Sequence, residues 1–593
     1  MPYLRELGVS HLYLSPVMQA QKGSEHGYDV VDPTRVSAEL GGEDELRALC
    51  AAAREAGMGT IVDVVPNHMA TSEEENRYWR DPELRARFFD FDPDTGWYRR
   101  FFDVGELGGV RVEDPEIFEE THRKVLELVE QGLVHGLRVD HPDGLANPRE
   151  YLQRLADRGV EHVWVEKILE PGERLQPDWP VEGTTGYEFA NDVTALFVDP
   201  AGEGPMTELY AELTGERRTF AEVAHEAKLE VARGIFQPEF DRLRALAPEI
   251  TGLEEAAADM HVYRTYCEAT AQTLEAEFVT RWQQTTGPVM AKGVEDTAFY
   301  RWFRLAALNE VGGNPDRFSL SPEEFHRGAA ERLDSYPRTL LASQTHDTKR
   351  AGDVRARLTS LAGMHEEWGM RVRRWRDLTG GMDDPNEEYL LWQTLIGAWP
   401  IVPGRVERYL EKALRESKRN TNWIEPNEEH ERRVRQFVRD LYGNQEFLHD
   451  FEPFAARVML AGEHASLGAL LLRLTSPGVP DLYQGDGLWS LNLVDPDNRR
   501  AVSWDVHAAA LREPEPTRRT MKMHLIRRVL RLRAERPDVF AGSYEPLDLG
   551  PDHVGFVRGG AMRVVVPLRP GERADGGDRD LLPEYDQELS VLS

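Results

Sequence analysis

Residues 136–141 read Gly136-Leu137-Arg138-Val139-Asp140-His141, and residues 162–167 read His162-Val163-Trp164-Val165-Glu166-Lys167. Each is a short apolar and β-branched run that ends on charged groups. Flanked by amphipathic helical stretches, such runs are the mark of successive βα units and a parallel sheet. In an α/β barrel the reactive groups sit where strands end at the C-terminal face, so the residues closing these runs carry the functional reading. Arg138 and Asp140 are two positions apart and face the same side of a strand, where the guanidinium can hold the carboxylate ionised and oriented. Glu166 closes the following strand and brings a second carboxyl beside the first. Two carboxyls roughly 5 to 5.5 Å apart are the geometry of retaining glycoside chemistry, one acting as nucleophile and one as general acid/base. A buried ion network would use the same residue types, but their joint placement at successive strand ends favours chemistry.

Working outward, seven candidate strands emerge: His11–Pro16, Gly59–Val65, Gly136–Asp140, His162–Ile168, Pro288–Lys292, Leu340–Thr345 and Val479–Gln484. Helices over Glu43–Gly57 and Phe118–Leu133 lie between them, the second with Val125, Leu128, Val129 and Leu133 on one face. The fold expected is an α/β class (β/α)8 TIM barrel with helical insertions and a small C-terminal β domain. Its parts are the first portion of the barrel with a short insertion after strand three (1–201), a helical insertion (202–287), strands six and seven (288–352), a second helical insertion (353–466), the end of the barrel (467–520), and a C-terminal helix and β domain (521–593). Gly559-Gly560 between two apolar runs is a hairpin signal in that last part. The tail from Arg569 shows no period and reads as loosely held. A barrel closes with eight strands, so the first reads as missing. The helix ending at Leu4 and Leu7 would follow it, and roughly 15 to 30 residues ahead of Met1 would supply it.

With 71 basic against 104 acidic side chains, the formal charge of −33 excludes a nucleic-acid binder that works through a general basic surface. No apolar run approaches the ~18 residues of a membrane span, and no signal peptide precedes Tyr3, so a cytoplasmic protein without membrane partners is expected. The two cysteines, Cys50 and Cys267, each sit in a helix-spaced stripe and read as small core residues. No histidine pair has a metal-ligand spacing, so neither a metal nor a cofactor is expected.

Two further strand ends are loaded: Asp63-Val64-Val65-Pro66-Asn67-His68, and Ser343-Gln344-Thr345-His346-Asp347-Thr348-Lys349-Arg350. With Gly136–His141 and Val165–Lys167 they resemble, in order, the four short regions of the α-amylase superfamily of glycoside hydrolases. GLRVDHPDGLANP, WVEKILEPGE, EGTTGYEF, KGVEDTAFYRW with LNEVGG, SQTHDTKR and LVDPDNRR are similar, within that superfamily, to the maltooligosyltrehalose synthase family. Gln484-Gly485-Asp486-Gly487 and Ala351-Gly352 depart from that pattern.

The resemblance implies that Asp140 is the nucleophile, Glu166 the general acid/base and Asp347 a third carboxylate that stabilises the transition state. Arg138, His68 and His346 would hold the sugar at the cleaved bond, Tyr28 would stack beneath it, and Asp63 and Asn67 would support these groups from behind. Tyr300 and Trp302, after strand six, are candidates to line the cleft. The implied activity is an intramolecular glucosyl transfer that turns the reducing-end α-1,4 linkage of a maltooligosaccharide into an α,α-1,1 linkage. A maltooligosyltrehalose trehalohydrolase is the implied functional partner. The alternative is an amylase-like hydrolase in which water takes the glycosyl group on the same carboxylates. A non-catalytic glucan-binding protein is disfavoured, because all three carboxylates are present.

Overall fold

The computed structural model describes residues 1–267, 274–570, 580–582 and 587–591, the last two segments by their backbone. The chain divides into two compact units, one formed by 1–185 and 228–293, the other by 186–227 and 294–593.

The first unit is built on a five-stranded parallel sheet in the order His11–Leu14, Gly59–Val64, Gly136–Val139, Val163–Val165, Gly183–Thr184. Four of these strands fall where the apolar runs predict them, and the short fifth carries no period-2 signal of its own. Register places Asp63 beside Arg138, and Val139 beside Val165, so the charged ends of neighbouring strands converge. Helices cover the sheet. Pro115–Glu130 is started by Asp114, whose carboxylate accepts the backbone N–H of Glu116 at 2.8 Å, with proline at the first turn. Its buried face includes Ile117, Phe118, Val125 and Leu128.

The expected strand Pro288–Lys292 is not formed. Those residues are the end of the helix Leu274–Met290 and a π-helical turn over Ala291–Glu295. Residues 283–290 are buried on every side, so the segment has no amphipathic stripe, and periodicity alone cannot separate a short buried helix from a buried strand. Cys50 is buried as expected, but Cys267 is exposed and its segment is not helical. Its backbone N–H and C=O are both taken by the Gln283 side chain, at 3.0 and 3.1 Å. Tyr263 and Tyr266 of the same stripe lie instead against the Lys167 ammonium. Thr270 falls outside the described residues.

The second unit is mainly helical. Gly352–Gly363, His365–Thr379, Pro385–Ala398, Pro403–Ser417, Glu428–Gly443 and Gln445–Thr475 fill the long charged interval. They pack around Trp368, Trp375 and Trp392, all fully buried, with the Trp375 ring 5.6 to 5.8 Å from the other two. The parallel pair Leu340–Leu341 and Val479–Pro480 is shorter than expected, because the chain leaves the ladder early to form the Ser343–Arg350 loop. Tyr300 and Trp302 are buried rather than lining an open cleft; Trp302 packs on Tyr210 and Phe220.

The C-terminal sheet is antiparallel in the order Tyr544–Leu547, His553–Arg558, Met562–Pro567, Gln587–Val591, Asp580–Leu582. The Gly559-Gly560 hairpin is as expected. The tail is not wholly loose, since Gln587–Val591 pairs with Met562–Pro567.

Gly186 joins the EGTTGYEF segment to its helix Tyr187–Leu196 at φ 88°, and a Cβ there would land on the Leu340 carbonyl oxygen and 2.8 Å from the Ala342 nitrogen. Gly186→Ala therefore costs a left-handed backbone as well as a backbone clash, and should destabilise the fold by at least about 2 kcal/mol. Gly328, in the middle of the helix Pro322–Ser335, would place a Cβ no closer than 3.5 Å to the end of the Arg332 side chain, so Gly328→Ala should be neutral or stabilising by about 0.5 to 1 kcal/mol. Thermal unfolding of the two variants checks the contrast.

Candidate active site

Arg138 is 1% exposed and stands among three carboxylates. Its Nη1 lies 2.7 Å from Asp140 Oδ1 and 2.9 Å from Asp63 Oδ2, and its Nη2 lies 3.2 Å from Glu166 Oε1. The sheet register causes this. Asp63 is the lateral neighbour of Arg138, Asp140 is two positions on, and Glu166 follows Val165 on the next strand. Burial alone would lower the affinity of Arg138 for its proton, but Asp63, Glu166, Tyr13 and Tyr28 outweigh that and hold it firmly charged. Glu166 is fixed from a second side by the backbone N–H of His141, which donates to its Oε2 at 3.1 Å. His141 reaches that position in the left-handed region, at φ 43°.

Asp63 is fully enclosed. Burial pushes its carboxyl up to about 6, against the pull of Arg138 and of the Tyr28 hydroxyl, which donates to Oδ2 at 2.6 Å. Tyr28 is delivered by Gly27, whose φ of 85° disfavours a side chain and where a Cβ would lie 2.7 Å from the Pro16 carbonyl oxygen. Asn67 is buried, its Oδ1 accepting from Arg99 Nη1 at 2.7 Å. His68 stacks on Phe101 with ring centroids 4.0 Å apart, and burial pushes its imidazole down to about 3, so it is neutral. Its Nε2 is buried and has no hydrogen-bond partner among the described residues. The first unit thus brings together Asp140, Glu166, Arg138, Asp63 and Tyr28 in one hydrogen-bonded cluster, with Asn67 and His68 on the strand end beside it.

Asp347 and His346 belong to the second unit, on the loop after Leu340–Leu341. His346 Nε2 is 3.1 Å from Asp347 Oδ2, and Thr345 Oγ1 accepts the Asp347 backbone N–H at 3.1 Å. Three motifs hold this loop. Tyr187 meets Thr345 through their hydroxyls at 3.1 Å, and Asn498 Nδ2 donates to the His346 carbonyl at 2.7 Å. Glu310, 1% exposed, accepts the backbone N–H groups of Lys349 at 2.6 Å and Arg350 at 3.1 Å, and pairs with Arg355 at 3.0 Å. Glu310, Arg355 and the His141 backbone were not among the expected site residues. The only sign of Glu310 is its place in LNEVGG, where a lone acidic residue follows an apolar run. A backbone donor such as that of His141 leaves no trace in a sequence.

A sheet of parallel strands with carboxylates closing its successive members is the class of the α-amylase-type barrel enzymes, and the alpha amylase catalytic-domain family matches residues 1–102. A Mycobacterium tuberculosis (strain H37Rv) protein named as a maltooligosyl trehalose synthase is 35% identical, over 98% of this chain and 91% of its own. The maltooligosyltrehalose synthase of Arthrobacter ramosus has a similar structure, with TM-score 0.89 and 36% identity over 96% of this chain and 90% of that one. A Sulfolobus tokodaii structure titled a hypothetical maltooligosyl trehalose synthase gives TM-score 0.90 and 31% identity, covering 100% of this chain and 96% of that one. The chain belongs to the maltooligosyltrehalose synthase family. Its fold is accordingly the (β/α)8 barrel with helical insertions and a small C-terminal β domain.

The Asp63 environment sets a pH dependence. Its folded carboxyl is raised, so the folded state keeps that proton longer than the unfolded chain does. Its contribution to stability is present at acid pH and is lost as pH rises through about 6. In the same window the neutral form removes one anion from Arg138, so kcat/KM should fall below pH about 6. Tyr28→Phe removes a donor to the ionised form and should move that acid limb to higher pH, as read from pH–rate profiles of both proteins. Glu310→Gln keeps the shape but leaves Arg355 short of its counter-charge and loosens the Asp347 loop. It should lower the melting temperature and reduce kcat roughly ten- to a hundredfold, with KM within about twofold.

Proposed function

We propose that this enzyme converts the reducing-end α-1,4 linkage of a maltooligosaccharide into an α,α-1,1 linkage by a retaining double displacement, giving a maltooligosyltrehalose. The observation that carries the chemical reading is the shared cation: Arg138 lies within 3.2 Å of both Asp140 and Glu166, on adjacent strand ends. Asp140 attacks the anomeric carbon of the penultimate glucose while Glu166 gives its proton to the glycosidic oxygen, releasing the terminal glucose and leaving a glycosyl-enzyme ester. Glu166, now a carboxylate, takes the proton from the anomeric hydroxyl of the retained glucose as that oxygen attacks the anomeric carbon of the ester, breaking its bond to Asp140 and freeing that carboxylate. Two displacements retain configuration. Asp347 is the third carboxylate, which stabilises the transition state. Arg138 orients the two reacting carboxyls, while His68, His346 and Tyr28 hold the sugar. Asp63 and Asn67 brace them. The retained glucose outcompetes water because a held and oriented group reaches effective concentrations of about 10⁵ M or more.

The product, a glucan capped by trehalose, calls for a hydrolase that releases the disaccharide, so a trehalohydrolase is the expected functional partner. No helix among the described residues is long and apolar enough to cross a membrane, and the site we propose for the enzyme is the cytoplasm, away from membrane and nucleic acid.

Purified protein incubated with maltopentaose should lose reducing ends with little free glucose, because joining two anomeric carbons consumes a reducing end without adding water. A sustained gain of reducing ends with glucose release would instead establish the hydrolase. Asp140→Asn and Glu166→Gln should each remove at least ~10³-fold of kcat, about 4 kcal/mol of barrier, since each carboxyl acts in both steps. Near-normal turnover in Glu166→Gln would refute the acid/base assignment.

A further inference from the structure

The turn between Pro403–Ser417 and Glu428–Gly443 presents two large apolar side chains to solvent, Trp423 at 51% and Ile424 at 82% exposure. Trp423 is not loosely placed. The Arg415 guanidinium lies over its ring, 5.0 Å from the centroid, and is itself held by Glu431 at 2.8 Å and Glu411 at 3.0 Å. The backbone of the turn is fixed as well. Asn422 Oδ1 accepts the N–H groups of Ile424 and Glu425 at 2.9 and 2.7 Å, and Thr421 Oγ1 donates to Glu431 and accepts from the Asn427 N–H, both at 2.8 Å. At its start, Asn420 Nδ2 donates to Asp384 and Glu387, both at 2.8 Å. One face of the indole is therefore backed by a fixed cation while half of the side chain stays open. That is a flat, rigid, apolar platform of the kind on which a pyranose ring packs, with little ordering entropy left to lose on binding.

The turn is also tied to the loop that carries Asp347. Lys418 Nζ donates to Thr297 Oγ1 at 2.7 Å and to the Asp296 carbonyl at 3.3 Å, and the Asp296 carboxylate holds Lys349 Nζ at 2.9 Å. From Lys418 to Trp423 the chain can extend no more than about 18 Å. We infer that Trp423, with Ile424 beside it, is an accessory binding site for an α-1,4-glucan chain, engaging the part of a long substrate remote from the reacting end. This rests on the glucan substrate proposed above.

The test compares Trp423→Ala and Trp423→Phe with the parent on maltotriose and on soluble amylose, following loss of reducing ends. Trp423→Ala should raise KM for amylose roughly three- to tenfold with kcat unchanged, leave both constants for maltotriose unchanged, and Trp423→Phe should recover most of the loss. Retardation in amylose-containing native gels, run on Asp140→Asn with and without Trp423→Ala, should weaken with the second substitution. Unchanged KM for amylose would overturn the inference, as would an equal loss on both substrates or a fall in kcat. Failure of the glucan reading itself would be seen separately, as no loss of reducing ends by the parent on either sugar.

Discussion

A single buried cation surrounded by three carboxylates is the constraint on which the site depends. Arg138 cannot be removed cheaply, because its loss would leave Asp63, Asp140 and Glu166 facing one another in a poorly solvated place, a change that typically costs 3 to 5 kcal/mol for a buried pair. Three carboxyls share one cation, and burial opposes ionisation most clearly at Asp63. That carboxyl is enclosed, is raised to about 6 by burial, and takes the Tyr28 hydroxyl as a donor. Strand register then does the rest. Lateral pairing sets Asp63 beside Arg138, and the two-residue repeat of a strand points Asp140 the same way. The shared guanidinium thus orients Asp140 and Glu166 without a dedicated loop.

The second unit answers a different problem, that of fixing a loop outside any ladder. Ser343–Arg350 leaves its two-residue strand early, and a free loop would hold Asp347 imprecisely. Its backbone donors end on the Glu310 carboxylate, its carbonyls on Asn498 and Arg355, and its Thr345 hydroxyl on Tyr187. Charge-assisted bonds to backbone N–H are among the stronger available, and they cost no side-chain freedom on the loop itself. EGTTGYEF, LNEVGG and LVDPDNRR therefore each supply a side chain that fixes the loop carrying Asp347. Asp486 lies in a buried ion network with Arg473 and Lys522.

What could be read from the sequence follows from which forces act locally. The parallel strands at Gly59, Gly136 and Val163 were legible because apolar runs closed by charge have few other uses, and the carboxylates followed from their endings. The Pro288–Lys292 segment was not legible: it is enclosed on all sides, and a helix buried all round loses the stripe that would identify it. Cys267 failed for a related reason. Helix-like spacing of Tyr263 and Tyr266 arises here from two rings gripping one ammonium, a tertiary contact that imitates a local period. The short Gly183–Thr184 strand and the His141 backbone donor exist only through their partners.

The carboxylates by themselves do not separate transfer to a sugar from transfer to water, since both outcomes begin with the same glycosyl-enzyme. On the reaction proposed above, the difference lies in groups that hold the released glucose while it turns. His68 has the chemistry for this. Burial keeps its imidazole neutral, with a pKa near 3, and a neutral ring offers one donor and one acceptor. A charged histidine could only donate. Stacking on Phe101 fixes the plane of the ring, and Asn67 stands beside Nδ1 at 3.5 Å. Sugar hydroxyls are themselves both donors and acceptors, so such a contact can be broken and remade with a different hydroxyl as the ring reorients. On the reaction proposed above, a fixed, neutral and enclosed polar group would favour retention of the leaving sugar over its escape, and the burial that lowers the imidazole pKa also keeps bulk water from that side of the ring.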